Sequence, residues 1–262
     1  MHCTKTLALI ICLLCALITG AQEISLAGQW QFATDKEDIG VSEKWFTRKL
    51  ADVVSLPGSM TENNKGDDVT LYTKWTGTIY DSSFFFRPSL AKYRQPGNVK
   101  IPFWLTPIKY YVGVAWYQKR ITIPKGWETK NIQLFLERSH IQTRVWIDDV
   151  EIGKNNSLVA PHAFAVKAGL KPGEHTITIR VDNRISDINV GPDSHSITDH
   201  TQGNWNGIVG KIILMARPPL FIHHVQVFPD IQMRSAKVLV KVVNTDNVER
   251  RGKLFLYTAS NN

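Results

Sequence analysis

Between Asp193 and Trp205 the sequence concentrates side chains able to recognise a polyhydroxylated ligand: Asp193, His195, Asp199, His200, Thr201, Gln202, Asn204 and Trp205. Hydroxyl groups need donors and acceptors at fixed angles, and Asp, His, Gln and Asn supply both. The indole of Trp205 could stack on the C–H face of a ring. A site built to bond a hydroxyl rejects analogues lacking it, because its buried polar groups would be left unpaired. Two other readings stand beside this one. The polar residues could form a structural loop network, with Trp205 in the core. Asp193, His195, Asp199 and His200 are also suitable metal ligands. Their spacing matches no specific metal motif, however, so neither a metal nor a cofactor is expected.

Other chemistries find less support. Glu137 and Glu151 fall on or beside predicted strands with no identifiable partner carboxylate, so no catalytic acid pair is expected in this chain. The three cysteines, Cys3, Cys12 and Cys15, all precede residue 22. They lie in a segment with a positive start at Lys5, an apolar run from Leu7 to Ile18 and small residues at Thr19-Gly20-Ala21. That pattern reads as a secretory signal peptide cleaved after Ala21, and the apolar run is short for a bilayer span. The expectation is a periplasmic or secreted protein with no membrane anchor after cleavage. Its mature part has no cysteine for disulfides, thiol catalysis or metal binding. The formal net charge is +8. Its basic residues are scattered, without a basic helix or an aromatic-basic motif, so no nucleic-acid partner is expected. A solvated basic surface is the plain reading, and a mild attraction for acidic glycans is the sharper one.

The elements that must position these residues are strands. From His175 to Val181, Ile177, Ile179 and Val181 alternate with Thr176, Thr178 and Arg180. A period of two marks a strand with one buried face. Ile132, Leu134 and Leu136 repeat the pattern, as does Arg144 to Ile147 before a turn at Asp148-Asp149. Tyr117 to Ile123 is a further strand, ending at Pro124. Strands and turns without intervening helices indicate an all-β sandwich or jelly roll. Residues 60–107 break the pattern and read as an insertion covering one end of the sandwich, or as a surface excursion. Its Trp75 and Trp104 are candidate stacking platforms, whereas Trp30, Trp116 and Trp146 fall on strands and should be core. His140, His162 and His175 read as hairpin or surface residues. Past Pro218-Pro219 strands resume, with Val238, Val240 and Val242 on one face. An immunoglobulin-like sandwich needs about 100 residues, so this second unit is expected to be partial.

Six segments, in order, resemble the N-terminal region of glycoside hydrolase family 2. Leu26-Ala27-Gly28-Gln29-Trp30-Gln31-Phe32 is similar to its opening strand, and Leu56-Pro57-Gly58 to its L-P turn. Gly113 to Tyr117, Val145 to Gly153 and Pro172 to Asn183 resemble successive strands and hairpins, with Asp149 where the family has glycine. Asn204-Trp205-Asn206-Gly207-Ile208 resembles its closing strand. The resemblance implies three divisions: signal peptide 1–21, a jelly-roll (galactose-binding-like) sugar-binding domain 22–217, and an incomplete immunoglobulin-like β-sandwich 218–262. It further implies a downstream catalytic barrel whose two glutamates hydrolyse terminal β-galactosides or β-glucuronides with retention, about 5 Å apart as such pairs must be. The partner implied is a carbohydrate, and a free-standing carbohydrate-binding module is the alternative. In the family an acidic residue lies six positions before the glycine matched by Gly207. Thr201 stands there here, so either Asp199 supplies the displaced carboxylate or Thr201 and Gln202 recognise the hydroxyls. The expected sugar-contacting set is Asp199, His200, Thr201, Gln202, Asn204 and Trp205.

Overall fold

Alternation along each strand decides which face is buried, and two sheets meet on those faces. The computed structural model describes residues 22–79, 81–101, 106–166, 170–185, 190–246 and 248–259. Residues 1–21, expected to be a signal peptide, and Trp104 lie outside the described residues. One sheet has the order β1 (Gln22–Ser25), β13 (Gly207–Arg217), β8 (Asn131–His140), β11 (His162–Val166), with β4 (Gly58–Ser59) also paired to β13. The other has the order β10 (Val150–Asn155), β9 (Gln142–Ile147), β12 (Gly173–Asp182), β7 (Val114–Ile123), β2 (Gly28–Asp35), β3 (Asp52–Leu56). Neighbouring strands run antiparallel. The expected all-β sandwich is therefore present, and the alternating strands fall at β12, β8, β9 and β7.

Between the sheets lie Trp30 and Phe32 of β2, Leu134 and Leu136 of β8, Ile177, Ile179 and Val181 of β12, and Leu214 of β13, all buried. Burying one such side chain contributes about 1.5–3 kcal/mol, so this layer dominates the fold's stability. Trp30 is core, as its strand position predicts. Trp116 and Trp146 are also buried, but on the opposite face of the six-stranded sheet. There the loop of residues 36–51 folds back and covers them with Val41, Trp45, Phe46 and Leu50. Asp35 secures that loop: its carboxylate accepts from Ile39 N, Gly40 N and Trp116 Nε1 at 2.9, 2.8 and 2.9 Å. Gly40 has no substitute at this approach, since a Cβ would stand 2.6 Å from Trp116 Nε1. A sheet buried on both faces loses its clean alternation, which is why Thr178 is buried beside Ile177 and Ile179.

The insertion is a folded unit. Phe84 and Ile101 form its centre, packed by Val69, Leu71, Trp75, Leu90, Tyr93 and Val99. Two 3-10 turns, Ser82–Phe85 and Pro88–Arg94, carry part of it. The pairing of β5 (Asp67–Asp68) with β6 (Lys109–Tyr110) closes its base. Phe84 is buried, whereas Phe86 is 72 % exposed. His140 and His162, expected at hairpins or the surface, are both buried. His162 Nδ1 bonds Thr143 Oγ1 at 2.7 Å, and its Nε2 bonds Ser157 O at 2.9 Å.

Beyond Pro218-Pro219, β14 (Leu220–Asp230) pairs with β15 (Ser235–Asn244). Among the described residues neither strand joins another sheet. Ile222, Val225, Val227, Leu239 and Val242 remain exposed. Open sheet edges and contiguous apolar surface drive association. A chain ending at Arg217 is therefore expected to sediment as a monomer at concentrations where the 262-residue chain self-associates. A monodisperse full chain would contradict this.

Candidate functional site

The segment 190–206 crosses one end of the sandwich before entering β13, and Asp199 fixes its path. Asp199 Oδ2 accepts hydrogen bonds from Thr76 N at 2.6 Å, Gly77 N at 3.1 Å and the Tyr110 hydroxyl at 3.3 Å. Its Oδ1 accepts from Asn204 N at 3.4 Å. One buried carboxylate thus joins the insertion, β6 and the loop. Tyr110's phenol is pushed well above its ordinary pKa, first by burial and then by the adjacent Asp199 charge. Asp193 makes a second joint: it accepts from Thr78 N at 2.6 Å and Thr78 Oγ1 at 2.5 Å. Those bonds hold its carboxyl below the usual range.

Asparagines anchor the end of the loop. Asn204 Nδ2 donates to Thr76 Oγ1 and to Asn183 O, both at 3.0 Å. Asn206 Oδ1 accepts from the Tyr117 hydroxyl at 2.8 Å, and its Nδ2 reaches Gly113 O and Val181 O at 3.1 and 3.2 Å. These bonds satisfy backbone groups where the strands end, which buried polar groups require. Gly207 then passes so close to β4 that a Cβ would lie 2.5 Å from Gly58 O.

The sequence-selected residues therefore divide into two sets. Asp199 and Asn204 are buried and hold the loop. His200, Thr201 and Trp205 are half-buried, and Gln202 is exposed. Thr201 Oγ1 donates to His195 O at 2.7 Å. Trp205 stacks on His140, with centroids 4.7 Å apart and planes at 15°. Burial pushes the His140 imidazole down to about 4, against a smaller opposing pull from the Asn204 side chain. Even so, among the described residues His140 Nε2, Asn204 Oδ1, Ser139 Oγ and His200 Nδ1 are buried without a hydrogen-bond partner. Buried polar groups are normally paired with protein or ordered water, so these atoms are open to a water or to a ligand hydroxyl.

Beside the loop runs a groove of about 810 Å³ whose lining includes Tyr72, Trp75, Thr76, Tyr110, Arg184 and Asn204. Tyr72 is 89 % exposed. Trp75 packs against Tyr110 at 4.7 Å and into the insertion's core, so it is a wall and not a free platform. Sequence reading singled out Trp75 but missed Tyr72, Tyr110 and Arg184. The aromatic richness of the insertion hinted at Tyr72, and nothing in the sequence singled out Tyr110 or Arg184. Among the described residues no cluster of His, Asp or Glu is arranged to hold a metal ion. Glu137 accepts from Lys211 N at 2.7 Å, and Glu151 pairs with Arg144 at 2.6 Å. Both carboxylates have structural partners.

A sandwich with a polar loop and an aromatic groove at one rim is the form of a sugar-binding domain. Residues 80–218, just over half the chain, match the profile of the glycosyl hydrolases family 2 sugar binding domain. The chain belongs to that family. It is 20% identical over 228 residues to a beta-glucuronidase of Paenibacillus borealis, covering 81% of this chain and 32% of that protein. A beta-galactosidase of Arthrobacter sp. (strain B7) is 23% identical, with 77% of this chain and 19% of that protein covered. Among solved structures, the Ruminococcus gnavus beta-glucuronidase superposes with a TM-score of 0.58 at 18% identity, over 87% of this chain and 34% of that one. The chain thus spans about a third or less of the length of these relatives.

Proposed function

We propose that this chain is the sugar-binding portion of an exported exo-β-glycosidase acting on terminal β-galactosides or β-glucuronides with retention. In this reading a downstream barrel supplies the two glutamates, and the loop 199–205 frames the terminal sugar. The observation that carries it is the Asp199 joint, which fixes a loop bearing the exposed amide of Gln202 beside an aromatic groove. Asp199 and Asn204 position the loop. His200, Thr201, Gln202 and Trp205 offer the contacts, and the orphaned atoms of His140 and Asn204 are candidate partners for hydroxyls or bridging water. The apolar leader, Leu7 to Ile18, supports export.

The reading is tested with aryl β-glucuronides and aryl β-galactosides. The 262-residue chain alone is expected to show no turnover, and a longer product carrying the barrel is expected to hydrolyse one of them. In that longer enzyme Gln202→Ala should lower kcat/KM about tenfold, the worth of one hydrogen bond to substrate. Turnover by the 262-residue chain, or an unchanged kcat/KM in both Gln202→Ala and Trp205→Ala, would defeat the assignment.

A further inference from the structure

A second groove, of about 870 Å³, lies on the outer face of the six-stranded sheet and shares no lining residue with the one beside the loop. Its floor is made by outward positions of adjacent strands. Gln31 stands opposite Gln118, Gln118 opposite Thr178, and Arg120 opposite Thr176. Gln29 lies two residues before Gln31 and so shares its face. One wall is the segment Phe46 to Lys49 of the loop that covers Trp116 and Trp146. The opposite rim is the Asp148-Asp149 turn.

This wall is fixed in place. Gln118 Nε2 donates to Arg48 O at 3.0 Å and to Thr178 Oγ1 at 3.2 Å, tying the wall to the floor. Phe46 stacks on Trp146 with planes 6° apart. Arg48 is held over the Trp45 ring at 4.6 Å. The chemistry that faces the groove is largely uncommitted. Arg48 and Arg120 have only loose ion pairs, each at 3.7 Å, with Glu43 and Glu174. Among the described residues Lys49 has no ion pair, and the side-chain amides of Gln29 and Gln31 make no hydrogen bond. Two carboxylates line the far rim, Asp148 and Asp149. Asp148 is occupied by Thr176 N and His175 at 2.8 and 2.7 Å, and the cations of Arg48, Lys49 and Arg120 outnumber the two carboxylates.

From this arrangement we infer that the outer-face groove binds a stretch of anionic glycan. The cations of Arg48, Lys49 and Arg120 meet its carboxylate or sulfate groups, and the amides of Gln29 and Gln31 meet its hydroxyls. Guanidinium groups suit both anions, because a planar fork of donors matches two oxygens at once. A groove open along the sheet fits a polymer segment better than a single ring. The site would tether the acidic polymer away from the loop. That it takes a glycan and not another polyanion rests on the proposed function. The presence of the cationic groove does not.

The test is retention of the full chain in affinity gels containing polygalacturonate, heparin or dextran. Binding to polygalacturonate or heparin, weakened by salt as exposed charges are, is expected, with none to dextran. Preference between the two polyanions identifies carboxylate or sulfate as the group recognised. The variant Arg48→Gln/Lys49→Gln/Arg120→Gln alters exposed side chains and is expected to keep its melting temperature while losing at least tenfold in affinity. Gln29→Ala/Gln31→Ala should weaken polygalacturonate and heparin binding but leave any attraction for single-stranded DNA unchanged. Wild-type affinity in the triple variant, or DNA bound as tightly as either glycan, would overturn the inference. Polymer binding that survives when aryl glycosides fail to bind would count against the loop assignment alone. The reverse outcome would count against this groove alone.

Discussion

Asp199→Ala is expected to destabilise the jelly roll by about 3 kcal/mol in denaturant unfolding and to open the segment 190–206 to proteolysis. The carboxylate is buried and accepts from Thr76 N, Gly77 N, the Tyr110 hydroxyl and Asn204 N. Alanine leaves these donors without their shared acceptor. Each buried unsatisfied group costs about 1–3 kcal/mol, and hydrogen bonds to a charged acceptor are the stronger kind. The change would also free Tyr110: its pKa, raised by burial and by the Asp199 charge, should move back toward the ordinary value. Asp199→Asn is the milder case, about 1–2 kcal/mol, because its oxygen can serve Thr76 and Gly77 while its amide then faces Asn204 N donor to donor. An Asp199→Ala variant within about 0.5 kcal/mol of wild type, a change typical of unimportant surface positions, would show that the loop does not depend on this joint.

The same residue shows what a sequence can and cannot disclose. That Asp199 matters was legible from the company it keeps with His200, Gln202 and Asn204. Its direction was not, because its partners Thr76, Gly77 and Tyr110 lie about a hundred residues away and carry no polar signature of their own. The strands were legible because alternation is local. Ile177, Ile179 and Val181 declare a face without knowledge of any partner strand. The second burial of the same sheet was not legible. Trp116 and Trp146 read as core, yet the layer covering them comes from residues 36–51, whose polar sequence is organised by the distant contact between Asp35 and Trp116. The insertion failed the alternation test for the same reason. It is built on 3-10 turns around Phe84 and Ile101, and no periodicity announces such a core. His140 and His162 misled because a histidine near a predicted hairpin is usually solvated, whereas here tertiary packing closes over both.

Acid should expose a second dependence, at the ion network of Asp38, Arg180, Asp182 and Arg184. Asp182 is buried. It accepts from Arg184 Nη2 at 2.6 Å, Arg184 Nε at 2.9 Å, Arg184 N at 3.0 Å and Arg180 Nη2 at 3.0 Å. Burial alone would raise its pKa, but the bonds and charges of Arg184 and Arg180 outweigh it and hold the carboxyl below the ordinary value. Asp38, which bonds the same two arginines at 2.7 and 2.6 Å, is shifted the same way. A carboxylate whose folded pKa is depressed contributes stability that is complete above its unfolded pKa, about 3.9, and is lost as pH falls through the folded value. Removing one partner of a buried pair costs about 3–5 kcal/mol. Because the Arg184 side chain is 40% exposed, about 2 kcal/mol is the better expectation for Asp182→Asn at neutral pH. The gap between variant and wild type should hold from pH 7 to about 5 and shrink once pH falls below the unfolded value of about 3.9, closing as the wild-type carboxyl protonates. Buried His140 and His162, both depressed by desolvation, weaken the fold as pH falls below about 6.5, His140 down to about pH 4. They do so in both proteins and cancel in the difference. Unfolding free energies measured across this range decide the matter: a gap that stays constant down to pH 2 would mean that the lost shape of the side chain, and not its charge, sets the cost.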